Sequence, residues 1–211
     1  MPFLKKIKIP DGTIGIWKLS ENSSELLPGV KLTKPEQSFF NTVKNEKRKK
    51  EYLAVRTLLK KLAGADFKIT YEKNGRPQLL NYPVNISISH SSDLAVIFLS
   101  EKNIGIDVEN IHRKIAPLSK RFLLQNEMEH IEKLANKQLT QIIYWSAKEA
   151  IFKCTPEQNI HFNRQINIKP FVLKEEGNFN GELTTGNHAI YSFELGYFLL
   201  ENNVVVSCVE L

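Results

Sequence analysis

Cysteine is nearly absent from this chain, with only Cys154 and Cys208 present. A single pair supplies neither a disulfide framework nor metal-ligand spacing, which removes the disulfide-scaffold and zinc-finger classes. Long apolar runs are also missing: none approaches the about 20 residues that a bilayer-spanning helix needs, so no membrane partner is expected. Residues 1–9 carry lysines but no apolar core and no small-residue cleavage site, so they do not read as a secretory signal, and the cytosol is the expected compartment. There is no low-complexity tract and no detectable internal repeat. Disorder is excluded by an ordinary composition, 42% hydrophobic and 25% charged. The 211 residues suffice to bury a core in one large domain or two small ones. Acid is the scarcer charge, 23 Asp and Glu against 29 Lys and Arg, and the net +6 points to an anionic partner: nucleic acid, a phosphate-rich ligand or an acidic protein.

What is present begins with a strand over residues 13–19, with Ile14, Ile16 and Trp17 facing inward. Thr33-Lys34-Pro35-Glu36 has the capping-box pattern, and helical periodicity runs from there to Leu62, with a break near Asn45 and a stop at Gly64. Tyr52, Val55, Leu58, Leu59 and Leu62 form its core stripe. The opposite face is basic, with Lys44, Lys47, Arg48, Lys49, Lys50, Lys60 and Lys61, and most of these charges read as a solvated face. Arg56 lies at the margin of the stripe, where an arginine tends to be held against something; a bidentate phosphate is one option. Residues 69–71 open a hairpin that turns at Asn74-Gly75. Residues 84–90 alternate, Ile86 and Ile88 against Ser87 and Ser89, and end at Ser89-His90-Ser91-Ser92. Those hydroxyls and that imidazole either gather an anion or serve structure alone. Residues 94–99 are a further apolar strand.

Then comes Ile104-Gly105-Ile106-Asp107-Val108-Glu109. In an extended segment Asp107 and Glu109 share one face, and Ile104, Ile106 and Val108 take the other. Like charges that close need a cation between them or a proton on one. Hard cations such as Mg²⁺ take a few carboxylates together with phosphate oxygens and water. Two solvated acids at a strand end is the plainer reading, and the pair alone does not decide. A helical patch follows over 120–124, Asn126 caps a helix over 127–134, and a long, largely buried helix covers 137–154. Lys148, Glu149 and Lys153 interrupt its apolar surface, and charges on such a helix are expensive unless paired or functional. Glu149 and Lys153 stand one turn apart, which a surface salt bridge also explains. Residues 156–168 read as an unpatterned loop. Residues 171–173, 189–195, 196–200 and 204–210 read as strands, with a turn at Asn202-Asn203. Strand, helices and strands occur twice over, which predicts an α+β protein of two halves, residues 1–102 and 103–211.

Three segments now stand in order: Asn85-Ile86-Ser87-Ile88-Ser89-His90-Ser91, Gly105-Ile106-Asp107-Val108-Glu109, and Trp145-Ser146-Ala147-Lys148-Glu149-Ala150-Ile151-Phe152-Lys153. Together they resemble the 4′-phosphopantetheinyl transferase superfamily. The G-x-D-x-E and W-x-x-K-E-A-x-x-K pair is highly specific at this separation, and Gly75-Arg76-Pro77 resembles the family's G-K-P turn with the charge kept. The likeness covers roughly residues 48–153. Two halves in one chain look like the surfactin-synthetase-activating type rather than the short trimeric holo-carrier-protein synthases.

The resemblance implies two similar α+β halves related by a pseudo-twofold axis, with coenzyme A bound at their interface, and a monomer. It implies a holo-[carrier-protein] synthase: Mg²⁺-dependent transfer of the phosphopantetheine arm to a serine of an acidic acyl or peptidyl carrier protein, releasing adenosine 3′,5′-bisphosphate. On this resemblance Asp107, Glu109 and Glu127 match metal ligands, Glu149 the general base, and Lys153 a lysine at the phosphates. Ser89 and His90 match residues on the coenzyme A phosphates, and Gly75, Arg76 and Pro77 the adenine-side loop. Arg56 matches the arginine on the ribose 3′-phosphate, assisted by Arg48 or Lys47. The sequence after Lys153, Cys154-Thr155-Pro156-Glu157, lacks the glycine-rich turn many relatives have there, which puts the choice of carrier protein in doubt.

The chemistry of the residues is consistent with that reaction. A hydroxyl attacking a pyrophosphate phosphorus needs a cation on the pyrophosphate, a base for its proton and positive charge for the leaving phosphate. A nucleic-acid-binding protein using the basic face over 44–61 is the reading from another class; it lacks an aromatic-interleaved platform and a recognised motif. A Mg²⁺-dependent hydrolase of pyrophosphate bonds would share the carboxylates, and dependence on an apo carrier protein separates it from the transferase.

Overall fold

A computed structural model describes residues 2–211 and divides the chain into two compact units, Met1–Glu101 and Lys102–Leu211, each of mixed helix and strand, so the class is α+β. The first unit contains strands β1 (Phe3–Ile9), β2 (Gly12–Lys18), β3 (Ile69–Tyr71), β4 (Pro77–Leu79), β5 (Asn85–His90) and β6 (Leu94–Ser100). Its helices are α1 (Ser23–Leu26), α2 (Lys34–Thr42) and α3 (Glu46–Ala63). A four-stranded antiparallel sheet runs in the order β1-β2-β6-β5, and β3 pairs with β4 in a separate hairpin. β1 is a strand that the periodicity reading did not find. Lysines at 5, 6 and 8 mask its pattern, as expected of an edge strand with one paired side.

The helix boundaries follow their caps. The Thr33 N–H donates to the Glu36 carboxylate at 2.9 Å, which starts α2. Asn45 Oδ1 accepts the Arg48 N–H at 3.1 Å and starts α3. Gly64, at φ 75°, ends α3 in the left-handed conformation that glycine adopts without strain. Leu53, Leu58 and Leu59 of α3 are buried against Ile86, Ile97 and Leu99 of the sheet.

The second unit contains β7 (Ile104–Asn110), β8 (Ile166–Ile168), β9 (Glu176–Thr184), β10 (Ile190–Leu200) and β11 (Asn203–Glu210). Its helices are α4 (Ser119–Phe122), α5 (Gln125–Glu132), α6 (Lys137–Cys154) and α7 (Phe162–Gln165). Its antiparallel sheet runs β7-β11-β10-β9-β8, and the core lies between this sheet and α6, with Ile142, Ile143, Ile151, Leu195 and Val206 buried. Four sequence expectations change here. The stretch 156–168, expected to be loop, holds α7 and β8; residues 171–173 are not a strand; β9 lies between them and β10; and residues 190–200 form one continuous strand. Asn126 sits inside the first turn of α5 rather than capping it, and Glu127 instead accepts the Leu124 N–H at 2.8 Å. Cys154 and Cys208 are buried and free. Among the described residues no helix is long and apolar enough to cross a membrane.

One buried ion pair joins the helices of this unit. Lys148 Nζ lies 2.7 Å from Glu127 Oε2, and both side chains are fully enclosed, at 0% exposure. The ammonium also donates to the carbonyls of Ile166 at 2.7 Å and Phe162 at 3.1 Å. Glu127 Oε1 accepts the Ile168 N–H at 2.8 Å. Burial pushes the Glu127 carboxyl up and the Lys148 ammonium down to about 8, while their mutual attraction opposes both shifts. Removing one partner of such a pair strands the other charge, which costs about 3–5 kcal/mol. Glu127→Gln and Lys148→Met are each expected to lower the stability of the chain by that amount in urea unfolding followed by circular dichroism. The double variant is expected to lose less than the sum of the two, and strict additivity would contradict the coupling.

Candidate functional site

Two groups of charged side chains stand out among the predicted site residues, one in each unit. In the second unit the group is set by how closely α6 lies on β7. A Cβ built on Gly105 would stand 1.8 Å from the Ala150 carbonyl oxygen and 3.0 Å from the Cys154 nitrogen, so only glycine permits this approach. With the helix pressed onto the strand there, Lys153 Nζ reaches Asp107 Oδ1 at 2.8 Å and the Ile106 carbonyl at 3.1 Å. Lys153 thus pairs across to the strand, where its spacing also allowed a salt bridge with Glu149 on its own helix.

Glu109 Oε1 accepts the Trp145 indole N–H at 3.0 Å and a hydrogen bond from Arg113, whose guanidinium lies 5.4 Å from the Trp145 ring centroid. These two partners were not visible as site residues in the sequence, although Trp145 opens the W-x-x-K-E segment. Burial, and then the Asp107 charge, push the Glu109 carboxyl above its ordinary range. The same two causes push Glu149 up to about 7, against a partial offset from Lys153, with Glu109 adding further repulsion. Asp107, Glu109 and Glu149 therefore feel one another's charge, and the cations around them do not fully neutralise it.

Such an excess of carboxylate oxygen fits a hard divalent cation. Among the described residues no group of three or more His, Cys, Asp or Glu side chains is placed to hold a metal ion alone. Mg²⁺ is commonly held through one or two carboxylates and completed by substrate phosphates and water, so the donor set suits it without a full protein cage. Glu127, expected as a third ligand, is not part of this group. Its oxygens are taken by Lys148 and by the N–H groups of Leu124 and Ile168 inside the core.

In the first unit a cavity of about 720 Å³ opens beside α3. Phe39, Tyr52 and Tyr71 give it aromatic walls, with Phe39 and Tyr71 more than half exposed. Arg48 and Lys68 give it positive charge, and His90 lines it beside them. Arg48 Nη1 stands 3.2 Å from His90 Nε2, so two of the expected phosphate ligands meet at one place. Gly75 also lines the cavity, in the left-handed conformation at φ 87° that the Asn74-Gly75 turn requires, and Arg76 and Pro77 follow it into β4. Ser89 is buried in β5 beside His90.

Arg56 lines the same cavity, yet its guanidinium is committed. Nε and Nη2 each lie 3.0 Å from Glu36 Oε1, Nη1 donates to the Tyr52 carbonyl at 3.0 Å, and the group stacks 3.4 Å from the Tyr52 ring centroid. Burial raises the Glu36 pKa, but hydrogen bonds from Thr33 and the Arg56 charge outweigh it and hold the acid below its ordinary value. The arginine expected on a phosphate is thus the inner half of an ion pair that builds the wall, and Arg48 is the arginine at the surface.

Comparison with known proteins agrees with these motifs. A model of the 4′-phosphopantetheinyl transferase superfamily matches residues 103–209. The chain is 28% identical over 157 residues to a Synechocystis sp. protein provisionally named a 4′-phosphopantetheinyl transferase, covering 66% of this chain and 63% of that protein. It is 26% identical over 145 residues to the 4′-phosphopantetheinyl transferase of Bacillus subtilis, over 66% of this chain and 63% of the relative. The chain therefore spans less than two thirds of the length of these curated relatives. The superfamily match reaches from the acidic strand to the last strand of the sheet, and the chain belongs to the 4′-phosphopantetheinyl transferase superfamily.

Proposed function

We propose that the protein transfers the 4′-phosphopantetheine arm of coenzyme A to a serine of an apo acyl or peptidyl carrier protein. The observation that carries this reading is the set Asp107, Glu109, Glu149 and Lys153, mutually interacting and placed on the two segments that the superfamily shares. The cavity of the first unit supports it, since aromatic walls with Arg48, Lys68 and His90 suit a nucleobase and phosphate. The adenosine end of coenzyme A would use that cavity, with its phosphates on Arg48 beside His90 rather than on Arg56.

The serine Oγ attacks the pantetheine-side phosphorus of the pyrophosphate. A new P–O bond forms, the bridging P–O bond breaks, and adenosine 3′,5′-bisphosphate leaves with the electron pair. Glu149 takes the hydroxyl proton, and a carboxyl whose pKa lies at about 7 suits a base working near neutral pH. Lys153 offsets negative charge on the transferring and leaving phosphates. Asp107 and Glu109 would hold Mg²⁺, which supplies positive charge to the pyrophosphate oxygens when bound. A hydrolase using the same groups would need water where the carrier serine stands, and the basic surface of α3 suits an acidic protein substrate.

Intact-mass spectrometry of an apo carrier protein, incubated with this protein, coenzyme A and Mg²⁺, is expected to show the gain of one phosphopantetheine, lost on adding EDTA. Asp107→Ala and Glu149→Gln are expected to slow transfer at least about a hundredfold while the chain stays folded, as a cooperative melting curve shows. Full activity in either variant would refute that residue's role. If several carriers gain no mass, calorimetry with coenzyme A separates an unmatched carrier from a wrong activity.

A second expectation follows from the raised carboxyl. Glu149 titrates at about 7 when folded and in the ordinary acid range when unfolded, so the folded state holds the proton to higher pH. Its contribution is most favourable at low pH and is lost as pH rises through that interval. In EDTA, thermal unfolding of the wild type should lose more stability between about pH 5 and 7 than Glu149→Gln does. Parallel pH profiles for the two proteins would contradict the shift.

A further inference from the structure

A buried acid that the motifs leave without a role lines the cavity of the first unit between Arg48 and His90. Glu51 is on α3 with its side chain 7% exposed, and Lys47 Nζ at 3.9 Å, Arg48 Nη1 at 3.5 Å and His90 Nδ1 at 3.4 Å surround it. Two of these partners belong to the surface, with Lys47 58% and Arg48 60% exposed, and His90 is 33% exposed. A buried carboxylate requires partners, and pairs with exposed, flexible cations add little to stability. Its effect is on the partners, whose freedom it removes. The protonation pattern follows from the donors. Arg48 Nη1 only donates, and it stands 3.2 Å from His90 Nε2, so Nε2 accepts and the ring proton of the neutral imidazole is on Nδ1, facing Glu51.

We propose that Glu51 is a positioning residue of the anion site: it keeps Arg48 and His90 side by side where both line the cavity, and does not itself touch the ligand. The inference rests on the reading that this cavity receives the phosphate-bearing adenosine of coenzyme A. A phosphate arriving there meets the Arg48 guanidinium already held in place between Glu51 and His90, so less side-chain freedom is lost on binding.

The probe is adenosine 3′,5′-bisphosphate, measured by titration calorimetry. Glu51→Gln keeps the shape and removes the charge, and is expected to weaken binding about tenfold. Glu51→Asp should recover part of the loss. On an Arg48→Gln background the effect of Glu51→Gln should largely disappear, because the residue acts through its partner. An undiminished effect on that background would mean a general structural role and overturn the proposal, as would unchanged binding by Glu51→Gln. A wild-type protein that does not bind the probe would overturn the ligand reading and this inference with it. Nitrogen NMR of the wild-type His90 ring needs no variant: the Nδ1–H tautomer supports the arrangement, and the Nε2–H tautomer sinks it.

Discussion

An ammonium sealed away from water is tolerable only where acceptors fully surround it, and the second unit is organised by that demand. Lys148 finds one carboxylate and two backbone carbonyls, drawn from α5, from α7 and from the start of β8. Glu127 returns the constraint by accepting N–H groups from both sides of the same assembly. Adjacent residues on a helix project about 100° apart. Once Lys148 is turned into the core toward α5, Glu149 must face elsewhere, and it faces the acidic strand. A residue pair that would otherwise be two charges in sequence becomes one structural cation and one acid with a raised pKa beside the D-x-E strand.

The same division between closed and open charge recurs in the first unit. Arg56 and Glu36 satisfy one another and form a wall, whereas Arg48 and His90 remain at the rim with Glu51 between them. In the second unit Lys148 and Glu127 are closed, whereas Asp107, Glu109 and Glu149 carry repulsion that Lys153 and Arg113 only partly relieve. Buried groups with complete partners hold the fold, and groups left with uncompensated charge are those available to a ligand.

Much of this was legible in the sequence wherever one local rule governed. The capping box at Thr33, the stop at Gly64, the turn at Asn74-Gly75 and the extent of α6 follow from capping and periodicity alone. The D-x-E strand and the K-E-A-x-x-K helix identified the acid group without any coordinates. What escaped depended on partners distant in sequence. Arg56 read as a phosphate ligand because its position near the core stripe was visible, while Glu36, twenty residues earlier, was not recognisable as its mate. Glu127 was matched to a metal ligand only by the resemblance of the 122–127 stretch, and packing shows its oxygens held by Lys148 and two backbone N–H groups. Glu51 was hidden among lysines and an arginine, where an acid on a helix suggests nothing more than an i,i+4 pair. β1 failed the alternation test because Lys5 and Lys6 are adjacent, and β9 because Gly181 takes a buried position that an apolar side chain would have marked.

The contact at Gly105 has a mechanical meaning. With a backbone carbonyl of α6 where a methyl group would otherwise stand, strand and helix have no slack between them and behave as a single rigid plate. Asp107 and Glu109 are carried by the strand of that plate, and Glu149 and Lys153 by its helix, all facing one another. Their spacing is therefore set when the chain folds and not when a substrate arrives, and any closing motion during turnover has to be hinged outside this plate.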